Sequence, residues 1–301
     1  MRIAQIGLGA WGEKNSEILS QLGVLSCVFD GDSEKSKEIG QKYSVKFYDS
    51  LQNLQSSEDF DAFCLDSAIP NSNDLISDLL YKKKHVFLEK PITNESGELE
   101  KLKEISQNKK VLFSCGLTQR FSPTLKKVKN IAKEQKFGGL ISLEIYREVP
   151  LEAQNKEIIF NNSLSDIDAA NQIFGEMPVV VFSRLFTTDE EKFANIVLGY
   201  QNNKSANILS NFFPQKNKAE LRVIFSQKTI IADLVGQKIQ DFEENIEEEN
   251  SMLLQMNNFV GAVQGNNELE VDANNMVNLT QIAEAAFLSG KQGVPIYLDL
   301  K

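Results

Sequence analysis

The feature that most constrains the fold is a glycine-rich turn near the start of the sequence. The run Gly7-Leu8-Gly9-Ala10-Trp11-Gly12 follows a short apolar stretch, Arg2–Ile6, and precedes apolar residues at helical spacing. In a strand–turn–helix setting, the first glycine of a GxGxxG pattern permits the tight turn. The second lets the backbone approach a diphosphate, and the third lets helix and strand pack closely. The pattern therefore predicts a dinucleotide site to which all six residues contribute.

An acidic residue supports this prediction and bears on the choice of cofactor. Asp30 ends the second predicted strand, Val24–Phe29, where a carboxylate would accept hydrogen bonds from an adenosine ribose. A glycine turn followed by a helix-capping aspartate is the alternative interpretation, and the combination favours the dinucleotide. The segment Asp30–Glu34 carries three acids and no arginine, so a 2′-phosphate would be repelled there, although Lys35 follows. We therefore predict NAD rather than NADP as the cofactor.

The order of the predicted elements indicates an α/β protein with two domains. Strands and helices alternate through the first part, which is typical of a Rossmann, doubly wound parallel sheet with helices on both faces. After about residue 119, closely spaced strands joined by short polar links predict an α+β domain with a large open, mostly antiparallel sheet. We predict an NAD-binding domain at 1–118 and a domain for substrate binding and oligomerisation at 119–301.

The outer face of the second sheet is predicted to be partly apolar. Val180, Phe182 and Leu185 lie among polar residues in one strand and are assigned to this face. Because a large exposed apolar face favours self-association, we predict a homodimer or homotetramer packed through the sheet.

Composition excludes several other classes of function. With 32 basic and 42 acidic residues the net charge is −10, which disfavours nucleic acid as a partner. Three widely spaced cysteines (Cys27, Cys64 and Cys115) form no disulfide framework and no CxxC site. A single histidine, His85, cannot build a multi-histidine zinc site, so no metal is predicted. The sequence predicts neither a membrane span nor a secretory signal, and we expect a cytoplasmic protein.

A second motif, Glu89-Lys90-Pro91, follows the fifth predicted strand, His85–Leu88. In an open α/β sheet, ligands gather outside the carboxyl ends of the strands. This places Glu89 at the predicted cofactor site and Lys90 at its nicotinamide end.

Together these motifs resemble the Gfo/Idh/MocA oxidoreductases, the family of glucose–fructose oxidoreductase and inositol dehydrogenase. The resemblance extends to GLTQRFSPTLKKVK at 116–129, FGGLISLEI at 137–145 and SDIDAANQIFG at 165–175. It implies hydride transfer between a nicotinamide and a carbinol carbon of a sugar, cyclitol or nucleotide sugar. It also implies that Lys90 contacts the cofactor and the reacting hydroxyl, and that Ser67 lines the cofactor cleft.

The sequence departs from the family pattern at two expected histidines. The family commonly carries D-x-x-x-H-x-x-D on the helix that walls its active site, where this sequence has Asn161, Ser165 and Asp168. Ser72 stands at the other histidine position, after the fourth predicted strand. The resemblance thus makes Lys90, Ser165 and Asp168 the candidate catalytic residues, and Asn161 a candidate substrate contact.

Three hypotheses remain, because a serine hydroxyl does not titrate near neutral pH as a general base should. The chain is a dehydrogenase in which Lys90 takes the proton, an enzyme of altered reaction (carbonyl reduction or a lyase-type step), or a pseudoenzyme that binds NAD as a sensor or subunit. Two interpretations are open for Arg120: a contact to a substrate phosphate, or an interdomain ion pair. Arg147 and Glu148 end a strand of the second domain, where they could face the cleft, but a salt bridge is the favoured interpretation.

Overall fold

The protein forms two compact units in the computed structural model. The structure describes residues 1–56, 60–66, 69, 72–90, 95–150, 158–187, 191–212, 217–240 and 249–300. The first unit contains Met1–Leu117 together with Met252–Val277, and the second contains Thr118–Ser251 together with Asn278–Lys301. No helix in the described ranges is both long and apolar enough to cross a membrane.

The first unit is built on a six-stranded parallel sheet in the order β3-β2-β1-β4-β5-β6. Its strands are β1 (Ile3–Ile6), β2 (Leu25–Phe29), β3 (Lys46–Phe47), β4 (Ala62–Leu65), β5 (His85–Leu88) and β6 (Phe113–Cys115). Its helices are α1 (Ala10–Gln21), α2 (Ser33–Tyr43), α3 (Leu51–Gln55), α4 (Ser72–Tyr81) and α5 (Ser96–Lys109). Every residue of β1 and β4 is buried, as expected of strands in a parallel sheet covered on both faces. The strand order reverses between β1 and β4, so these two strands flank the ligand crevice expected of such a sheet.

A late segment of the chain completes the core of the first unit. Met256 and Phe259, on α8 (Ser251–Val263), are buried in the same apolar cluster as residues of the parallel sheet. The rings of Phe87 and Phe259 lie 5.3 Å apart between centroids. The division drawn from the sequence placed these residues in the domain 119–301, whereas their contacts are with the first unit.

The second unit is built on an eight-stranded mixed sheet in the order β13-β12-β11-β7-β10-β9-β8-β14. Its strands are β7 (Leu140–Glu148), β8 (Val180–Thr187), β9 (Glu191–Gly199), β10 (Ser205–Asn211), β11 (Lys218–Phe225), β12 (Thr229–Asp233), β13 (Lys238–Ile239) and β14 (Ile296–Tyr297). The pair β7 and β10 is parallel, and the other described pairs are antiparallel. Helices α6 (Pro123–Lys133) and α7 (Leu164–Phe174) belong to this unit, as does α9 (Ala273–Gln292) from Asn278 onward. The predicted fold class, a Rossmann sheet plus a mostly antiparallel sheet, is confirmed.

Helix α9 packs on one face of this sheet and corrects the predicted outer face. The backbone N–H of Ser183 donates to Ser289 Oγ on α9 at 2.9 Å. A Cβ added at Gly290 on α9 would lie 2.5 Å from Leu185 Cγ. Leu185 therefore faces the helix, and its assignment to the outer face was wrong. Because side chains alternate along a strand, Val180 and Phe182 remain on the outer face of β8, opposite to Leu185.

The single histidine and the three cysteines all lie in strands of the parallel sheet. His85 Nδ1 accepts a hydrogen bond of 2.9 Å from the backbone N–H of Leu112, and burial lowers the pKa of His85, which favours the neutral ring. The three thiols are buried and unbridged. Burial raises the pKa of Cys27 to about 12, so this thiol keeps its proton.

Candidate functional site

The glycine-rich turn connects β1 to α1 and leaves the helix N-terminus without a side-chain cap. Gly7 has a φ of +81°, a conformation that L residues with side chains rarely adopt. A Cβ at Gly12 would collide with the Gly7 carbonyl oxygen, so the third glycine is required by close packing. Gly9 is the N-cap of α1, and the first intrahelical bond runs from the N–H of Glu13 to the Gly9 carbonyl at 2.9 Å. The preceding N–H groups of the helix therefore lack intrahelical acceptors and form an anion-binding terminus.

Asp30 is held in position by the backbone around it. Its Oδ2 accepts the N–H of Leu8 at 2.6 Å, and its Oδ1 accepts the N–H of Asp32 at 2.9 Å. The backbone N–H of Asp30 donates to Ser36 Oγ at 2.7 Å, which anchors the residue to α2. A carboxylate oxygen has two lone-pair directions, so each oxygen can accept a further hydrogen bond from a ligand.

The turn and Asp30 line a common cavity of about 540 Å³. Its wall includes Gly7, Gly9, Asp30, Lys35, Leu51 and Asp66. The glycines would accommodate a diphosphate, the carboxylate of Asp30 would accept from a ribose diol, and Leu51 adds apolar surface for a base. The residues present therefore fit the adenosine half of a dinucleotide. Lys35, the basic residue of this wall, forms an ion pair of 2.9 Å with Glu13.

Asp66 also lines this cavity and was not among the residues predicted from the sequence. It follows β4 directly and is 6% exposed, and its Oδ2 lies 2.5 Å from where a Cβ would stand on Gly9. The signal was available in the sequence, because an acid directly after the strand that neighbours β1 must lie beside the glycine turn. Ser67, predicted to line the cofactor cleft, lies outside the described residues.

Two further predicted residues lie in the bend after β5. Glu89 and Lys90 are both half-buried, and the N–H of Glu89 donates to the Leu65 carbonyl on β4 at 2.9 Å. Lys90 thus lies at the carboxyl end of the sheet, as predicted for a residue near the reacting end of a cofactor. Trp11 is 43% exposed at the start of α1, with Lys14 Nζ 4.8 Å from the centre of its ring.

In the second unit, Arg120 and Asp168 form a buried two-point ion pair. Arg120 Nε donates to Asp168 Oδ2 at 3.0 Å, and Arg120 Nη2 donates to Asp168 Oδ1. Both side chains are more than nine-tenths buried. Of the two interpretations of Arg120, an ion pair is present, but its partner is on α7 of the same unit rather than in the other domain. The carboxylate of Asp168 is therefore engaged by a guanidinium.

Ser165 and Asn161 lie close together along the chain at the start of α7. Ser165 is half-buried, three residues before Asp168, and helical spacing puts these two residues on one face. Asn161 lies in the π-helical turn Ile159–Ser163 that precedes the helix, a feature that sequence periodicity did not predict. Such turns occur frequently at functional sites.

Neighbouring polar residues are also paired. Arg147 donates from Nε and Nη2 to the two carboxylate oxygens of Asp166, each at 2.6 Å, and from Nη2 to Gln119 Oε1 at 2.8 Å. Burial acts to lower the pKa of Arg147, but the Asp166 carboxylate outweighs it and raises that pKa. The salt bridge predicted for Arg147 is thus present, whereas Glu148 accepts a hydrogen bond from the Tyr146 hydroxyl at 2.5 Å.

A buried tyrosine completes the polar surroundings of α7. The Tyr200 hydroxyl donates to Asn171 Oδ1 at 2.8 Å. Burial, together with the negative charges of Glu176 and Asp168, raises the pKa of Tyr200 well above its usual value. Tyr200 therefore stays protonated and serves as a donor rather than a base.

Comparison with known proteins agrees with this geometry. Residues 1–117 match the model of the Gfo/Idh/MocA family, described as an oxidoreductase family with an NAD-binding Rossmann fold. Over 192 residues the chain is 27% identical to a myo-inositol 2-dehydrogenase of Thermotoga maritima, covering 61% of this chain and 58% of that enzyme. The match therefore spans less than two thirds of the length of the inositol enzyme.

A second relative is similar in both sequence and structure. Over 240 residues the chain is 20% identical to a UDP-N-acetylglucosamine 3-dehydrogenase of Acidithiobacillus ferrooxidans, covering 78% of this chain and 75% of that enzyme. The crystal structure of that enzyme superposes with a TM-score of 0.87 at 18% identity, covering 97% of this chain and 98% of the other.

A third similarity concerns a structure with bound ligands. The WlbA dehydrogenase of Chromobacterium violaceum, solved with NADH and UDP-GlcNAcA, superposes with a TM-score of 0.86 at 15% identity, covering 100% of this chain and 96% of the other. At these identities the superpositions establish the fold. The family model covers residues 1–117, and this part of the chain is therefore assigned to the Gfo/Idh/MocA oxidoreductases.

Proposed function

We propose that the chain is an NAD-dependent oxidoreductase that transfers a hydride between the nicotinamide and a carbinol or carbonyl carbon. The observation that carries this proposal is the single cavity shared by the glycine turn and the backbone-held Asp30 carboxylate. A site of this kind suits a ligand with a diphosphate next to a ribose diol, which describes the adenosine half of NAD.

In this proposal each residue has a defined role. Gly7, Gly9 and Gly12 allow the diphosphate to reach the start of α1, and Asp30 accepts from the ribose hydroxyls. When bound, NAD supplies the hydride acceptor or donor. Lys90, at the carboxyl end of β5, exchanges the proton of the reacting hydroxyl. The Arg120–Asp168 pair stabilises the second unit and does not exchange the proton of the reacting hydroxyl.

For the substrate we propose a sugar, cyclitol or nucleotide sugar. The names of the relatives support this class, because one is a myo-inositol 2-dehydrogenase and another a UDP-N-acetylglucosamine 3-dehydrogenase. Myo-inositol and UDP-N-acetylglucosamine are therefore the first compounds to assay for NAD reduction.

Cofactor preference provides the direct test of this proposal. We expect NADH to bind at least ~10-fold more tightly than NADPH, a difference of about 1.4 kcal/mol, because a 2′-phosphate would approach the carboxylate of Asp30. Trp11 is the only tryptophan and lies in the glycine turn, so its fluorescence reports both titrations. Asp30→Ala should reduce the difference between the NADH and NADPH affinities, because it weakens the binding of NADH.

A charge-matched control separates local from general effects. Glu17 is exposed on α1 and is not part of the cavity wall, so Glu17→Ala removes one negative charge without touching the site. It should bind NADH as the wild type does. Equal affinity of the wild type for NADH and NADPH would overturn the NAD assignment.

A second candidate function is a pseudoenzyme that binds NAD as a sensor or subunit. The observation that favours it lies in the second unit, where Ser165 stands at the position of the family's histidine and Asp168 is engaged by Arg120. An enzyme of altered reaction is the remaining alternative. Binding of NADH without turnover of any sugar or nucleotide sugar at any pH would favour the pseudoenzyme.

We further propose that the protein is a homodimer or homotetramer packed through the outer face of the eight-stranded sheet. Outward-facing side chains there include Phe186, 54% exposed, and Val197, 38% exposed, while Phe182 is paired opposite Val197. A second copy presenting the same apolar strip would cover these side chains.

Light scattering tests this assembly. At micromolar concentration we expect the mass of a dimer or tetramer, and Val197→Glu should convert it to a monomer by placing a charge in the interface. Val235→Glu, at an exposed valine outside the strands, is the control and should leave the mass unchanged. A monomeric wild type would refute the proposal.

A further inference from the structure

The carboxylate of Asp66 lies against the glycine turn of the first unit. Asp66 follows β4, the strand next to β1, and its backbone N–H donates to the Ile6 carbonyl at 2.9 Å. Its Cβ lies 2.7 Å from where a Cβ would stand on Gly7. Its Oδ2 lies 2.5 Å from the corresponding position on Gly9 and 3.3 Å from that on Gly12. The absence of side chains at all three glycines therefore makes room for this carboxylate.

The same glycines would accommodate the diphosphate of a dinucleotide. The second glycine of the motif serves to bring the backbone close to the diphosphate, and Oδ2 of Asp66 lies beside that residue, Gly9. Asp66 is almost fully buried, so water screens its charge poorly. A bound diphosphate would thus place negative charge near a negative side chain.

The described wall of the cavity carries more acidic than basic side chains. Among the described residues of its wall, the charged side chains are Asp30, Asp66 and Lys35. Lys35 Nζ is engaged by Glu13 at 2.9 Å. Over the described part of the wall, two acids and one lysine sum to a net negative charge, beside the end of the helix where an anion would otherwise be favoured.

We propose that Asp66 sets the affinity of the first unit for dinucleotides by opposing the diphosphate at the glycine turn. This inference rests on the proposed function, because it requires a dinucleotide in this cavity. Its consequence is that the wild-type chain binds NADH more weakly than its glycine turn and Asp30 would allow. Neutralising Asp66 strengthens binding, whereas neutralising Asp30 weakens it.

Three ligands of increasing length test the proposal on Asp66→Asn, which keeps the shape of the side chain. Adenosine carries no phosphate, ADP adds the diphosphate, and NADH adds the nicotinamide half. We expect Asp66→Asn to bind ADP and NADH roughly tenfold more tightly than the wild type and to bind adenosine equally well. A tenfold change is the scale expected when one partly screened repulsion between two charges is removed. Titrations followed by the fluorescence of Trp11 measure the affinities for all three ligands.

A control variant accounts for the change in net charge. Asp78 is exposed on α4 and is not part of the cavity wall, so Asp78→Asn should bind all three ligands as the wild type does. Thermal unfolding of Asp66→Asn without ligand shows that the variant is folded, and Asp66→Ser provides a second neutral side chain if it is not.

The possible outcomes are distinct. If Asp30→Ala weakens NADH while Asp66→Asn leaves ADP and NADH unchanged, the proposal for Asp66 is overturned and the proposed function stands. If Asp66→Asn binds NADH more weakly than the wild type and ADP equally well, the proposal for Asp66 is also overturned, because Asp66 would then contact the nicotinamide half. If neither the wild type nor Asp66→Asn binds any of the three ligands, both are overturned. Binding of NADH by Asp66→Asn alone would support the proposal in its strongest form.

Discussion

Replacing Lys90 with methionine is expected to lower kcat by at least ~100-fold, within the range of ~10²–10⁴ associated with a positioned proton-transfer group. Methionine keeps most of the length of the side chain and removes its charge and its donors. NADH affinity should stay within about twofold of the wild type, because the diphosphate and ribose contacts come from the glycine turn and Asp30. Initial rates with myo-inositol or UDP-N-acetylglucosamine, together with the fluorescence titration, measure both quantities.

Two further variants make this result interpretable. Lys101 is exposed on α5, forms an ion pair with Glu98 and is not part of the cavity wall, so Lys101→Met should keep wild-type rates. Ser165→His should raise the rate, because it returns a group that titrates near neutrality to the helix face that carries Asp168. Ordinary turnover by Lys90→Met would show that another group carries the proton.

Asp168→Ala is expected to destabilise the protein by about 3–5 kcal/mol, since it leaves the buried Arg120 guanidinium without its partner. Urea denaturation monitored by circular dichroism measures this loss. The double variant Arg120→Met with Asp168→Leu removes both charges and should recover much of the stability, because a buried pair is often replaceable by apolar residues of similar volume.

A more exposed pair in the same unit provides the matched control. Lys204 and Glu176 form an ion pair of 2.7 Å, and their side chains are 29% and 25% exposed, respectively. Glu176→Ala should cost less than about 1 kcal/mol, because solvent screens such a pair. If Asp168→Ala costs no more than Glu176→Ala, the buried pair is not the structural element described above.

The parallel sheet could be predicted because most of its strands are short, mainly apolar runs separated by helical patterns. The strand His85–Leu88 has the same bounds in the prediction and in the structure. The two-residue strands β13 and β14 are too short for any alternation to be visible, and the sequence analysis did not predict them. Helical periodicity does not say which sheet a helix packs against, so it could not assign α8 to the first unit.

The candidate site was predictable to a similar degree. The glycine turn and Asp30 lie in a strand–turn–helix context that specifies their geometry, and the structure places them in one cavity. Pairings between distant residues were less accessible. Arg120 and Asp168 are 48 positions apart, and spacing alone left both a ligand contact and an ion pair open for Arg120. Likewise, the alternation of side chains along β8 does not by itself say which face packs on a helix. The structure was needed to show that Leu185 faces α9.

The late segment Met252–Val277 has a consequence for how the chain folds during synthesis. The first unit needs Met256 and Phe259 to fill its core, and these residues are translated only after the Thr118–Ser251 part of the second unit. As it leaves the ribosome, the amino-terminal part therefore waits with the apolar surface around Phe87 uncovered. The first unit therefore reaches its final packing only after residues 252–277 have been translated.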